Sequence, residues 1–166
     1  RILPARAGLW TPEDFRGHLA VVAADAEHQE GRRWRSLSDT AIGAQQLYKA
    51  GEAWSFRRRS TDASFYDEGE LLWLEVDLRI RDLSGGKRSL DDFCLAFFGG
   101  EGGKPSVRPY SLADVLEALD EVAHSDWPAF FAERVDRPGG RPWERALDGS
   151  GWRLAYSDQP TTMGAA

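Results

Sequence analysis

The sequence predicts an all-α fold, a multi-helix bundle, on three observations. The stretch 65–90, FYDEGELLWLEVDLRIRDLSGGKRSL, holds the longest amphipathic run in the chain. Several segments open with a capping residue followed by acids, the pattern of a helix start. Glycines or prolines close them at lengths of about three turns or more.

The period of the central stretch decides its structure. Leu72, Leu74, Val76, Leu78 and Ile80 alternate with Glu75, Asp77, Arg79 and Arg81, as a half-buried strand would. Gly69, Leu72, Trp73, Val76, Ile80 and Leu83 also share one helical face, which Leu71, Leu74 and Leu78 widen. Helix is the reading taken. Glu75 with Arg79 and Asp77 with Arg81 are acid-before-base pairs four apart, each supporting a helix by about 0.2–0.5 kcal/mol. Gly85 and Gly86 follow where a left-handed turn would end the helix. A strand over 66–83 would also far exceed the usual length of about 5–6 residues.

The remaining elements follow in order. Thr11 as cap, Pro12 at the first helical position, and Glu13 and Asp14 begin a helix. Phe15, Leu19, Val22 and Ala26 form its buried stripe up to about His28, and Gly31 is expected to end it. A second helix is predicted over 36–49, capped by Ser38 or Asp39, with Ala41, Gly43 and Ala44 small enough to admit a neighbouring helix. Residues 50–64 read as an irregular connection. Ser89-Leu90-Asp91-Asp92 and Ser111-Leu112-Ala113-Asp114 start two further helices, with a glycine-rich loop over 101–109 between them. Trp127-Pro128 opens a short helix through Val135, and Pro138-Gly139-Gly140 breaks it. Pro142-Trp143 opens a last helix that ends near Gly149. Trp152, Leu154 and Tyr156 then alternate with polar or small residues as a short strand would.

Composition narrows function. A chain of 166 residues with 42% hydrophobic content, seven Trp and eight Phe can bury one real core. A formal net charge of −6 argues against sequence-independent nucleic-acid binding. The cluster Arg57-Arg58-Arg59 reads as a solvated rim or as carboxylate partners, and no window approaches the ~20 apolar residues of a membrane span. Cys94 is the single cysteine, which leaves no internal disulfide and no thiolate cluster; Phe93, Leu95 and Phe97 beside it suggest an inert buried thiol. His18, His28 and His124 stand in no metal-binding spacing and read as structural or solvent-facing. No nucleophile elbow occurs, and the Gly-rich loop follows a helix rather than a strand, so it is a weak phosphate signal.

Tyr66 is the candidate catalytic residue. At the start of a long helix its hydroxyl could donate to a developing oxyanion; equally, its ring could anchor the helix start. Asp67 and Glu68 make a poor acid–base pair, because neighbouring helical residues point about 100° apart. Gly69 would allow another backbone to come close.

These residues also carry a family resemblance. Phe65-Tyr66-Asp67-Glu68-Gly69 with its apolar helix, then Ser84-Gly85-Gly86-Lys87-Arg88-Ser89-Leu90-Asp91-Asp92-Phe93, resembles the glycyl aminopeptidase family of zinc metallopeptidases. Arg6-Ala7-Gly8-Leu9, Gly31-Arg32-Arg33, Leu37-Ser38-Asp39-Thr40-Ala41, Phe130-Phe131 and Arg134-Val135-Asp136 are similar to further stretches of it. The resemblance implies a thermolysin-like fold in which a HExxH helix and a later glutamate bind zinc. A helical subdomain follows, and commonly a PDZ-like domain after that. Residues 1–151 match the helical subdomain alone and 152–166 would lead toward the next domain, so zinc and its ligands are expected outside this chain. Tyr66 would stabilise the tetrahedral intermediate, with Glu68 where lysine is common.

The resemblance further implies a peptide substrate, a metal-binding subdomain as partner, and a periplasmic or secreted setting. The isolated chain is expected to be inactive and to self-associate through the apolar surface its partner would cover. The alternative is a non-catalytic helical interaction module, with Trp10, Trp34, Trp54 and Trp73 lining a protein-facing groove.

Overall fold

The computed structural model describes residues 4–5, 7–28, 30–47, 65–99, 107–139 and 141–158. Among them the fold is all-α, as predicted. Its helices are α1 (Pro12–Glu27), α2 (Leu37–Leu47), α3 (Phe65–Leu83), α4 (Leu90–Phe98), α5 (Leu112–Val122), α6 (Trp127–Phe131) and α7 (Pro142–Ser150). A 3₁₀ turn (Glu30–Arg33) precedes α2, and a π-helical turn (Ala132–Asp136) continues α6. The connection at 50–64, the loop glycines Gly102 and Gly103, and residues such as Trp54 and Arg57 lie outside the described residues.

Local chemistry places the helix starts. Thr11, Ser89 and Ser111 each close a capping box with an aspartate three residues on, at Asp14, Asp92 and Asp114. Each satisfies two otherwise orphaned N–H groups. At the second helix the cap is Ser36, whose Oγ accepts from the Asp39 N–H at 3.0 Å, rather than Ser38 or Asp39. The first helix runs to Glu27 with His28 as its cap, as expected, and Gly31 is part of the 3₁₀ turn that follows.

The end of α3 is a Schellman turn. The Gly86 N–H reaches the Arg81 carbonyl at 2.7 Å and the Gly85 N–H reaches that of Asp82 at 3.2 Å. Both glycines stand at positive φ, 62° and 78°, which side chains with a Cβ rarely adopt. At α7 the same pattern joins Trp152 to Leu147 and Gly151 to Asp148.

α3 is the axis of the molecule, and its apolar residues divide between two cores. Leu72, Val76 and Ile80 pack with Leu90, Phe93, Leu119, Val122, Trp127, Phe130 and Phe131. Leu71 turns the other way, joining Leu19, Val22, Ala23, Trp143, Ala146 and Leu147 from α1 and α7. α7 packs tightly at Gly149, where a Cβ would meet Leu78 Cδ1 at 3.1 Å. The helix is thus apolar on more than one face because it is enclosed, not because it lies on a surface.

Several sequence expectations fail here for one reason: tertiary neighbours outbid local ones. Asp77 and Arg81 do pair, at 2.9 Å. Glu75, however, turns to Arg134 at 2.7 Å, and Arg79 reaches the Ser125 hydroxyl while lying over the Trp127 and Phe130 rings. Cys94 is exposed rather than buried: of its neighbours in sequence Phe93 turns to the core, while Leu95 is itself exposed. Gly43 admits the Arg35 guanidinium rather than a helix, and Gly69 faces open space. Residues 152–157 form no strand. Leu154 packs on the α1–α7 core, and the Tyr156 hydroxyl donates to Glu27.

Burial of acids on α3 is the unusual feature. Glu68 accepts from the Arg32 Nε at 2.8 and 3.0 Å, with side chains only 2% and 8% exposed. Glu70 meets His18 Nε2 at 2.9 Å. Removing one partner of such a buried pair leaves a charge that water cannot reach. Glu68→Ala should therefore lower the unfolding free energy by about 3–5 kcal/mol in urea denaturation, and a loss under 1 kcal/mol would show that Arg32 finds another acceptor.

The capping boxes set an acid sensitivity. Hydrogen bonds from the Thr11 side chain and then its backbone hold Asp14 below the ordinary carboxylate range, and Ser111 does the same for Asp114. A depressed carboxylate stabilises the fold above its unfolded pKa, and the contribution disappears as pH falls through the folded value. Denaturation midpoints should fall as pH drops below about 4, and Asp114→Asn should flatten part of that slope. An unchanged slope would exclude the caps as its source.

Candidate functional site

Tyr66 is the second residue of α3 and is 67% exposed. Its ring leans on that of the half-buried Phe65, with centroids 4.2 Å apart. Two residues on, Glu68 points into the protein and is held by Arg32. That difference in direction is the helical rotation of about 200° between positions i and i+2. Glu68 is consequently committed to structure and is no partner for acid–base work with Asp67.

The first turn of α3 is fixed from two sides. Arg32 also donates from Nη1 to the carbonyls of Arg35 and Arg137, so one guanidinium ties α3, the 3₁₀ turn and the loop after α6 together. His18, bound to Glu70, lies under the Trp10 ring at a centroid distance of 5.2 Å. His18 is thereby structural, as the sequence suggests. His28 bonds the Ala24 carbonyl and His124 bonds Asp120 on the surface.

A cavity of about 360 Å³ opens between the start of α1 and α3, walled by Trp10, Pro12, Phe15, Leu74 and Leu90 with Asp77 as its carboxylate. Tyr66 does not line it. Asp77 Oδ1 accepts from the Leu90 N–H at 2.7 Å and Oδ2 from Arg81 at 2.9 Å, which joins α4 to α3. Both oxygens thus serve the fold.

Zinc, which the family resemblance implies, does not fit the described residues. No group of three His, Cys, Asp or Glu side chains among them converges on a common point, and structural or catalytic zinc needs at least three protein ligands. No helix among the described residues is long and apolar enough to cross a membrane. Of the four tryptophans expected to line a groove, Trp10 stands beside His18 at the cavity near α1. Trp73 stacks on Phe93 within the larger core, Trp34 lies on the surface beside Arg35, and Trp54 is outside the described residues.

Sequence reasoning missed a second polar centre. Arg134, Arg137, Arg141 and Arg145 surround a cavity of about 180 Å³ with Glu133. Their spacing of three, four and four would have placed them on one side of the chain, had the Pro138-Gly139 break not separated them into two elements.

Comparison with curated proteins gave no match. The family model of the M61 glycyl aminopeptidases matches residues 1–72, a span that holds α1, the 3₁₀ turn, α2 and the first two turns of α3 with Tyr66. The stretches at 84–93 and 130–136 that also carry the resemblance lie beyond the matched span. Over residues 1–72 the chain is thus similar to the M61 glycyl aminopeptidases, the family that its sequence resembles.

Proposed function

We propose that this chain is the helical part of the catalytic domain of a zinc-dependent aminopeptidase that removes N-terminal glycine or other small residues from peptides. The observation that carries this reading is the family match, which runs through Tyr66-Asp67-Glu68-Gly69 into α3. The zinc ligands belong, on this reading, to residues outside this chain. What the chain contributes is one wall of the cleft and a hydrogen-bond donor.

The donor is Tyr66. Its exposure leaves the phenol open to a neighbouring subdomain or substrate, and the Arg32–Glu68 pair two residues on holds the helix turn from which it projects. As the peptide carbonyl becomes tetrahedral, the phenol O–H donates to the oxygen where negative charge develops. A donor fixed in advance stabilises that charge more than the ground-state carbonyl. Glu68, where lysine is common in related enzymes, then acts on the position of Tyr66 and not on substrate.

A second reading, a helical interaction module without catalysis, is favoured by an exposed apolar edge formed by Leu95, Phe98, Val107, Tyr110 and Leu112. The two readings separate on the reading frame upstream of Arg1. A HExxH motif encoded there supports the enzyme, and a frame that lacks one supports the module.

In the intact enzyme, Tyr66→Phe should lower kcat by roughly 10²–10³-fold, or about 2.7–4 kcal/mol of barrier, while metal content by elemental analysis stays unchanged. Near-normal turnover would remove Tyr66 from the mechanism. The isolated chain should neither retain stoichiometric zinc nor release glycine from a glycyl chromogenic amide, and turnover with bound zinc would overturn the assignment of the ligands to another segment.

A further inference from the structure

The cavity between the π-helical turn and α7 is rich in donors and poor in acceptors. Arg134 is 94% buried by its 6% exposure, and its Nη2 finds no hydrogen-bond partner among the described residues. It lines a cavity of about 180 Å³ with Arg137, Arg141 and Arg145, against the single carboxylate of Glu133. A guanidinium carries five N–H donors and no acceptor. The bonds that hold these side chains use few of them. Arg134 gives Nε to Glu75 at 2.7 Å, Arg141 gives Nη1 to Glu144 at 2.6 Å, and Arg145 gives Nη2 to Glu133.

An unpaired buried N–H is costly, and more so on a charged group. Such a group persists where something else supplies the acceptor. We propose that this cavity binds a small oxyanion, a phosphate or a carboxylate group, with Arg134 Nη2 as the buried donor and Arg137 as the exposed one. Oxyanions accept without donating, and the planar guanidinium matches their geometry.

The surrounding carboxylates place limits on how this works. Glu75, Glu133 and Glu144 already offset three of the four guanidiniums. Binding is therefore driven by unfilled donors at short range more than by net charge, and it survives moderate salt better than a purely Coulombic site would. The backbone supports the same location. The chain leaves its α-helical register at Ala132–Asp136, a π-turn of the kind that recurs at functional sites. The Gly139 N–H then ties the adjoining loop to the Arg32 carbonyl. The volume allows an anion of phosphate size and some water, given about 30 Å³ for each water.

The test is titration of the whole 166-residue chain with inorganic phosphate, acetate and chloride at matched ionic strength. The readouts are the arginine side-chain NMR signals and the thermal midpoint. Phosphate should shift the Arg134 Nε–H signal saturably and raise the midpoint with the logarithm of its concentration. Arg137→Ala, an exposed change, should weaken that response by about tenfold. Arg134→Lys keeps a cation for Glu75 but removes Nη2, and should abolish the response.

Saturation by acetate as well as phosphate would identify a carboxylate-type ligand, and saturation by phosphate alone a phosphate-type one; both support the site. Equal shifts with all three salts, or an Arg137→Ala variant that binds as the parent does, would overturn it.

Discussion

The structure depends on the burial of carboxylates along α3. A helix enclosed between two apolar cores would ordinarily carry no acids on its inner faces, because each must be desolvated to get there. Here Glu68 and Glu70 are buried, and each is met by a side chain from an earlier part of the chain, Arg32 and His18. Glu75 is met from the other direction by Arg134. The three contacts draw the 3₁₀ turn, α1 and the π-turn onto one helix. Their geometry is mutually restrictive in a way that apolar packing, which has no preferred direction, is not.

This arrangement ties the candidate catalytic residue to the rest of the molecule. Tyr66 is itself on the surface, yet the turn that carries it is held to the rest of the fold through the Arg32–Glu68 pair. Phe65 flanks it, and Glu68 is locked to Arg32 within the same turn. Arg32 in turn reaches the Arg137 carbonyl, while Gly139 donates back to the Arg32 carbonyl. The arginine-lined cavity and the Tyr66 turn are thereby joined through one residue, though each has its own chemistry.

Much of the fold was legible in the sequence because the signals were local. Thr11, Ser89 and Ser111 with an aspartate three residues on are read from four consecutive letters, and the helices begin after them. Gly85 and Gly86 are likewise a local stop, since only the backbone conformation they permit closes the Schellman turn. Misreadings came where local pattern was asked to predict long-range partners. Glu75 and Arg79 are correctly spaced for each other, but in an enclosed helix each had a better-desolvated partner 59 and 46 residues away. The sequence neighbours of Cys94 say little about its burial, which depends on the face of α4 it occupies.

By itself the sequence determined the helical class, most helix starts and ends, that a lone cysteine leaves no internal disulfide, and the family likeness carried by residues 1–72. Each of these is set within a few residues or by a contiguous motif. Tertiary structure alone decided which way the acids of α3 turn, that Glu68 is a structural rather than a catalytic carboxylate, and that four arginines from two elements face one cavity. The physical reason is that hydrogen-bond partners are chosen by distance and solvent exclusion in three dimensions, and neither quantity is encoded in the spacing of letters along the chain.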